Sequence, residues 1–218
     1  MMVATTVPDD AVQVGWDRLQ RHFGFLLGAQ VVIFAVMAAF SVFTDIAEGR
    51  NDWLEFLAGF VSYAVYLLLE MGFILVCLKI IDSAKPEFGD LIARLDVLWS
   101  YIGASLILAV LVTAGLVLLI IPGIYAAVRF QFYGFFIVDQ RIGPIESLQK
   151  SWAVTDGRVW SLLWLDLILV GINILGMLLF VVGLFVTVPI SSLALAYVYR
   201  QLLELAPEDA VEPVPSSA

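Results

Sequence analysis

Four long, sparsely charged apolar runs, at 24–43, 56–78, 101–121 and 159–180, constrain this chain more than any other feature. A helix rises about 1.5 Å per residue, so about 20 residues cross a hydrocarbon core of about 30 Å. Each run is long enough. Two shorter stretches, 122–139 and 184–200, each carry a proline near the start. Pro122 and Pro189 suit the first turn of a helix, where a missing N–H costs nothing. Both stretches therefore read as return arms of tight hairpins, with tips near 115–123 and 183–189. The expectation is an all-α integral membrane protein with six transmembrane helices in three hairpins. Composition agrees: 62% of the 218 residues are hydrophobic and 14% charged, against about 25% charged in soluble domains.

Basic residues orient the spans. Arg18, Arg21, Lys79, Lys85, Arg94, Arg141, Lys150, Arg158 and Arg200 fall on one face, and Arg50 alone on the other. The positive-inside rule then puts both termini in the cytoplasm and the chain in the cytoplasmic (inner) membrane. A net charge of −9 argues against a nucleic-acid partner, because phosphates would be repelled. Cys77, the single cysteine, excludes an intrachain disulfide and a multi-thiolate zinc site. The N-terminus has no basic n-region, so no removable signal peptide is expected. Residues 1–9 read as a flexible end, 10–202 as the membrane domain, and 203–218 as a disordered acidic, proline-rich tail.

Polar stretches between the hairpins have helical periodicity. Phe88, Leu91, Ile92, Leu95, Leu98 and Trp99 share one face of 86–99, with Glu87, Asp90, Arg94 and Asp96 between them. Ile145, Leu148 and Trp152 repeat the pattern in 144–156, and Val12, Trp16, Leu19 and Phe23 before the first span. Each segment is expected to lie along the cytoplasmic surface as an amphipathic helix. Three units of one plan follow, an interfacial helix and then a hairpin. The segments beginning at Ile80 and Ile137 align, with Asp82 opposite Asp139 and Trp99 opposite Trp160.

The stretches IIPGIYAAVRF (120–130), GPIESLQKSW (143–152) and VPISSLALAYVYRQL (188–202) occur in that order. Together they resemble the membrane domain associated with glycerophosphoryl diester phosphodiesterases and its stand-alone bacterial relatives. Pro122, Gly123, Gly143, Pro144, Glu146, Ser151 and Trp152 carry the motifs. In that family the hydrolase is a separate α/β barrel, for which this sequence has no counterpart. The resemblance implies a membrane module without the enzyme.

The residues point the same way. Phosphodiester hydrolysis calls for metal-binding carboxylates with a histidine acid or base, and His22 is the only histidine. No phosphate-binding loop, zinc motif or nucleophile elbow is present, so no catalytic residue, metal or cofactor is assigned. GFLLG (Gly24, Gly28) is a small-residue pattern expected to bring helices together. Ionisable groups within spans, Glu70, Arg129 and Asp166, each cost about 2.5–3.5 kcal/mol at a helix centre. They read as an internal ion pair or snorkelling groups, as a polar pathway, or as a headgroup site. Glu70 is the favoured partner of Arg129 and Asp166 the poorer one, while Asn173 and Gln30 are expected to bond between helices. The leading functional reading is a non-enzymatic module that organises membrane lipids or a partner membrane protein. The alternative is a small-solute transporter or channel; an intramembrane lipid-modifying enzyme would need a second catalytic group beside Asp166.

Overall fold

A computed structural model describes residues 7–49, 51–179 and 183–206, and every regular element among them is helical. In chain order these are α1 (Val7–Arg21), α2 (Phe23–Ala47), α3 (Asp52–Ile81), two 3₁₀ turns (Phe88–Ile92 and Leu95–Val97), α4 (Leu98–Leu118) and α5 (Ile120–Phe130). Then come α6 (Tyr133–Gln140), α7 (Pro144–Val154), α8 (Val159–Leu178) and α9 (Leu184–Leu205). Local signals fix the ends. The Asn51 side chain caps α3 by accepting from the Trp53 N–H at 3.1 Å, with Asp52 and Glu55 in the first turn and Lys79 in the last. Those charges complement the helix dipole. Helix covers 7–9 and 203–205, where flexible ends were expected; the remainder of those ends, 1–6 and 207–218, and Arg50 lie outside the described residues.

Five segments are long and apolar enough to cross a membrane: Phe23–Ile46, Asp52–Ile81, Phe88–Leu118, Ile120–Gln140 and Val159–Leu178. At 22 residues α9 is long enough, but it is not among the five. Its surroundings explain this. It packs against α1, α3 and α8, and buries Ser191, Ala194, Ala196 and Tyr199 along with larger apolar residues. A helix sheathed by protein has no need of a continuous apolar surface. Pro189 lies inside α9 rather than in its first turn, so the helix loses one internal hydrogen bond there. Pro122 does fall in the first turn of α5.

The core sits at one end of the bundle. Leu67, Met71, Val76, Cys77, Leu78 and Ile80 are buried in the second half of α3, whereas Trp53, Phe56, Phe60, Tyr63 and Tyr66 in the first half are exposed. Tyr101, Ile102 and Ala104 are the buried residues of α4, and its last turns, Val117 and Leu118, are largely exposed. Beyond the core, the first half of α3 and the end of α4 therefore present apolar surface outward.

All three polar segments depart from a simple surface helix. Residues 86–99 form two 3₁₀ turns, the first closed by a capping box between Glu87 and Asp90. Asp90 is also held by Lys79 at 2.6 Å, and the Leu91 backbone rests on Gly72 of α3. These contacts override α-helical winding and split the apolar face. Leu91 turns inward, while Phe88, Ile92, Leu95 and Trp99 stay exposed. In α7 the inward face is polar, with Ser147, Lys150 and Ser151 buried beside Leu148, and Ile145 outside. Helix α1 packs on α9 through Ala11, Gly15 and Leu19. A Cβ on Gly15 would lie 2.7 Å from the Ile190 carbonyl, so close approach of the two backbones demands glycine there. The GFLLG pattern makes no such contact: Gly24 has open space and Gly28 meets the Phe88 ring.

Candidate functional site

Two of the motif segments bind each other. Helix α5 stops at Phe130 and α6 starts at Tyr133, leaving a break at Gln131 and Phe132. The Phe132 N–H donates to Ser151 Oγ at 3.2 Å, and Ser151 Oγ donates to the Arg129 carbonyl at 2.9 Å. Thr155 Oγ1 also lies 3.2 Å from that carbonyl, though its nearest acceptor is the Ser151 carbonyl at 2.8 Å. Side chains of α7 thus satisfy backbone groups released by the break, as burial requires. That is why the buried face of this helix carries Ser151. Gly143 precedes α7, Pro144 occupies its first position and touches Gly103 of α4, and Glu146 pairs with Lys150 at 3.7 Å. Gly123 packs against Gly115 and Leu116 at the α4–α5 tip.

Arg129 is 3% exposed. Its partner is Asp156, with Nη1 donating to Oδ1 at 2.9 Å, not Glu70 or Asp166. Trp152 lies over the guanidinium, 3.9 Å from ring centroid to Cζ, and Tyr125 flanks it at 5.7 Å. Glu70 was the expected partner, but the link between α7 and α8 sets the Asp156 carboxylate against the guanidinium.

Glu70 stands apart from that cluster. It opens into a cavity of about 200 Å³ with Phe73, Tyr101, Gln131, Tyr133 and Ser192. The Tyr101 hydroxyl sits between Glu70 and Tyr133, whose ring lies 5.4 Å from that of Tyr101. Asp166 accepts from Gln131 Nε2 at 3.3 Å. Asn173 does bond between helices, donating to Ser191 Oγ of α9 at 2.8 Å and to the Leu169 carbonyl at 2.9 Å.

A third cluster was not singled out from the sequence. Arg200 Nε and Nη2 donate to the two oxygens of Asp82 at 2.9 and 2.6 Å, and Nη1 and Nη2 donate to Asp139 at 2.6 and 3.1 Å. Tyr199 also donates to Asp139, at 3.0 Å. Asp82 and Asp139 are the aspartates aligned in the sequence, Asp82 just after α3 and Asp139 near the end of α6. The arginine of the third unit joins them, so the signal was the repeat itself. An open pocket of about 600 Å³ borders this clamp, with Asp17, Arg18 and Arg21 of α1 on its far wall.

Among the described residues, the all-α bundle with five membrane-length apolar segments fits a multi-pass membrane protein. The chain belongs to the family described as Domain of unknown function (DUF7847), whose model matches residues 7–216. Neither a curated protein nor a solved structure matches it.

Proposed function

We propose that this chain is a non-enzymatic module of the cytoplasmic membrane, which organises lipids through apolar surfaces between its hairpins. One observation carries the reading. A cleft of about 320 Å³ between α5 and α8 is walled by Ile121, Ile124, Tyr125, Val128, Trp160 and Leu163, and is almost wholly apolar. An acyl chain fits such a slot. Among the cleft's neighbours, Arg129 already has a carboxylate and an aromatic cover, which supports a packing surface rather than a reactive centre. The resemblance to the membrane domain of glycerophosphoryl diester phosphodiesterases enters here as part of the proposal, resting on the sequence motifs alone. Lipid mass spectrometry tests the reading. Protein extracted from membranes should carry bound phospholipid, and Leu163→Trp, which fills the cleft, should lower the number retained per chain at least twofold. Equal retention by both proteins would overturn it.

In this reading α9 is the sixth span, paired with α8, and both termini are cytoplasmic. Trp99 and Trp160, exposed in the first turns of α4 and α8, suit an aromatic belt at an interface. Cysteines at Asn51 and Ala153, both exposed, in a Cys77→Ser background should react with an impermeant thiol reagent from opposite sides. Labelling of Ala153→Cys in intact cells would reverse the orientation. The second reading, a small-solute transporter, is favoured by the cavity at Glu70.

A further inference from the structure

We infer that the cavity at Glu70 is a binding site for a primary ammonium group. Charge comes first. Among the described residues no lysine, arginine or histidine pairs with Glu70, whereas Arg129, Arg200 and Lys79 each have a carboxylate of their own. A carboxylate withdrawn from water without a cation is costly. An incoming cation would relieve that cost.

The walls set the kind of cation. Phe73, Tyr101 and Tyr133 line the space, and aromatic faces attract cations, more strongly where water is excluded. Gln131 and Ser192 also lie on the wall, together with the Cys77 thiol. Gln131 spends its amide nitrogen on the Val128 carbonyl at 3.2 Å and on Asp166 at 3.3 Å, so its Oε1 is left as an acceptor. Glu70, Gln131 Oε1 and Ser192 Oγ together offer acceptors for the three N–H bonds of R–NH₃⁺. A quaternary ammonium has no such donors. At about 200 Å³ the space lies below the 300–1,000 Å³ of drug-sized pockets. It suits an amine end group rather than a whole amphiphile.

Position decides how such a group would arrive. Tyr66 is exposed and Leu67 buried, so Glu70 lies just inside the point where the outward-facing half of α3 gives way to the core. Glu70, Ile74 and Tyr133 are only half-buried, which leaves the cavity open to exchange. An aminophospholipid headgroup and a small soluble amine present the same chemistry there. The site is independent of the α5–α8 cleft and stands whether or not that cleft holds lipid.

Thermal unfolding of the full chain tests the proposal, first in phosphatidylcholine nanodiscs. Ethylammonium chloride should raise the unfolding temperature progressively with concentration, because a ligand that binds only the folded state stabilises it. Equimolar tetramethylammonium chloride or sodium chloride should not. Glu70→Gln should abolish the shift, and so should Ser192→Leu, which fills the cavity while retaining Glu70. Nanodiscs containing phosphatidylethanolamine separate the two sources. A headgroup occupant would stabilise the wild type before any amine is added and blunt the ethylammonium response; a soluble occupant would leave that response unchanged, and either result supports the site. No ethylammonium shift in either bilayer, an equal shift with tetramethylammonium or sodium, or an undiminished shift in folded Glu70→Gln would overturn it.

Discussion

Gly72→Ala should destabilise the folded chain by about 3 kcal/mol or more, enough to lower its yield and its unfolding temperature in detergent. Two effects oppose each other. Alanine in place of glycine within a helix gains about 1 kcal/mol of propensity. Against this, a Cβ on Gly72 would collide with the Leu91 backbone, both its Cα and its carbonyl. A flexible side chain could swing away, but backbone cannot. The 3₁₀ turn bearing Leu91 is pinned twice through the adjacent Asp90, by its pair with Lys79 and by the Glu87–Asp90 capping box. Displacing the turn would therefore strain those bonds as well as expose Leu91, and the clash wins. As a control, Gly59→Ala on the same helix meets open space and should be neutral or slightly stabilising. Similar melting of both variants would mean that the turn docks loosely.

Span positions were legible because 3.6-residue helices of membrane length leave an unmistakable apolar run. The predicted 56–78 became Asp52–Ile81, and 159–180 became Val159–Leu178. What the sequence could not convey was which side of a polar segment faces protein. Periodicity in 144–156 marked a helix correctly, yet Ser151 turns inward because the broken α5–α6 backbone needs a donor and an acceptor, while buried Ser147 bonds back to the Pro144 carbonyl of its own helix. Nothing in the spacing of 86–99 revealed that Leu91 would seat on a glycine from another helix. Partners of charged groups were the least readable part. Arg129 meets Asp156, 27 residues away, across the link between α7 and α8, a pairing that the spacing within any one segment does not reveal. The repeat carried more information than it first yielded: the alignment of Asp82 with Asp139 marks two carboxylates that converge on Arg200.

Trp152→Ala should cost about 3 kcal/mol, mostly through what it does to Arg129. The ring is partly exposed, so the loss belongs at the lower end of the 3–5 kcal/mol range for removing a buried aromatic. Beyond packing against Phe130 and Tyr125, it covers the guanidinium at 3.9 Å. Arginine keeps its charge wherever it is placed, and here the Arg129 side chain is 3% exposed, whereas Asp156 is 78% exposed. The asymmetry ranks the partners. A carboxylate that remains in water contributes about 0.2–1 kcal/mol to its pair, while a ring over a desolvated cation reaches about 2 kcal/mol. Double-mutant cycles built on Arg129→Gln should therefore give a coupling with Trp152→Ala of about 1–2 kcal/mol, and with Asp156→Asn of less than about 1 kcal/mol. With Glu70→Gln the effects should add, because Glu70 faces a separate cavity. Coupling to Glu70 above about 1 kcal/mol would show that the two acidic groups share the arginine. Equal couplings to Trp152 and Asp156 would mean that the guanidinium is held by charge rather than by the ring.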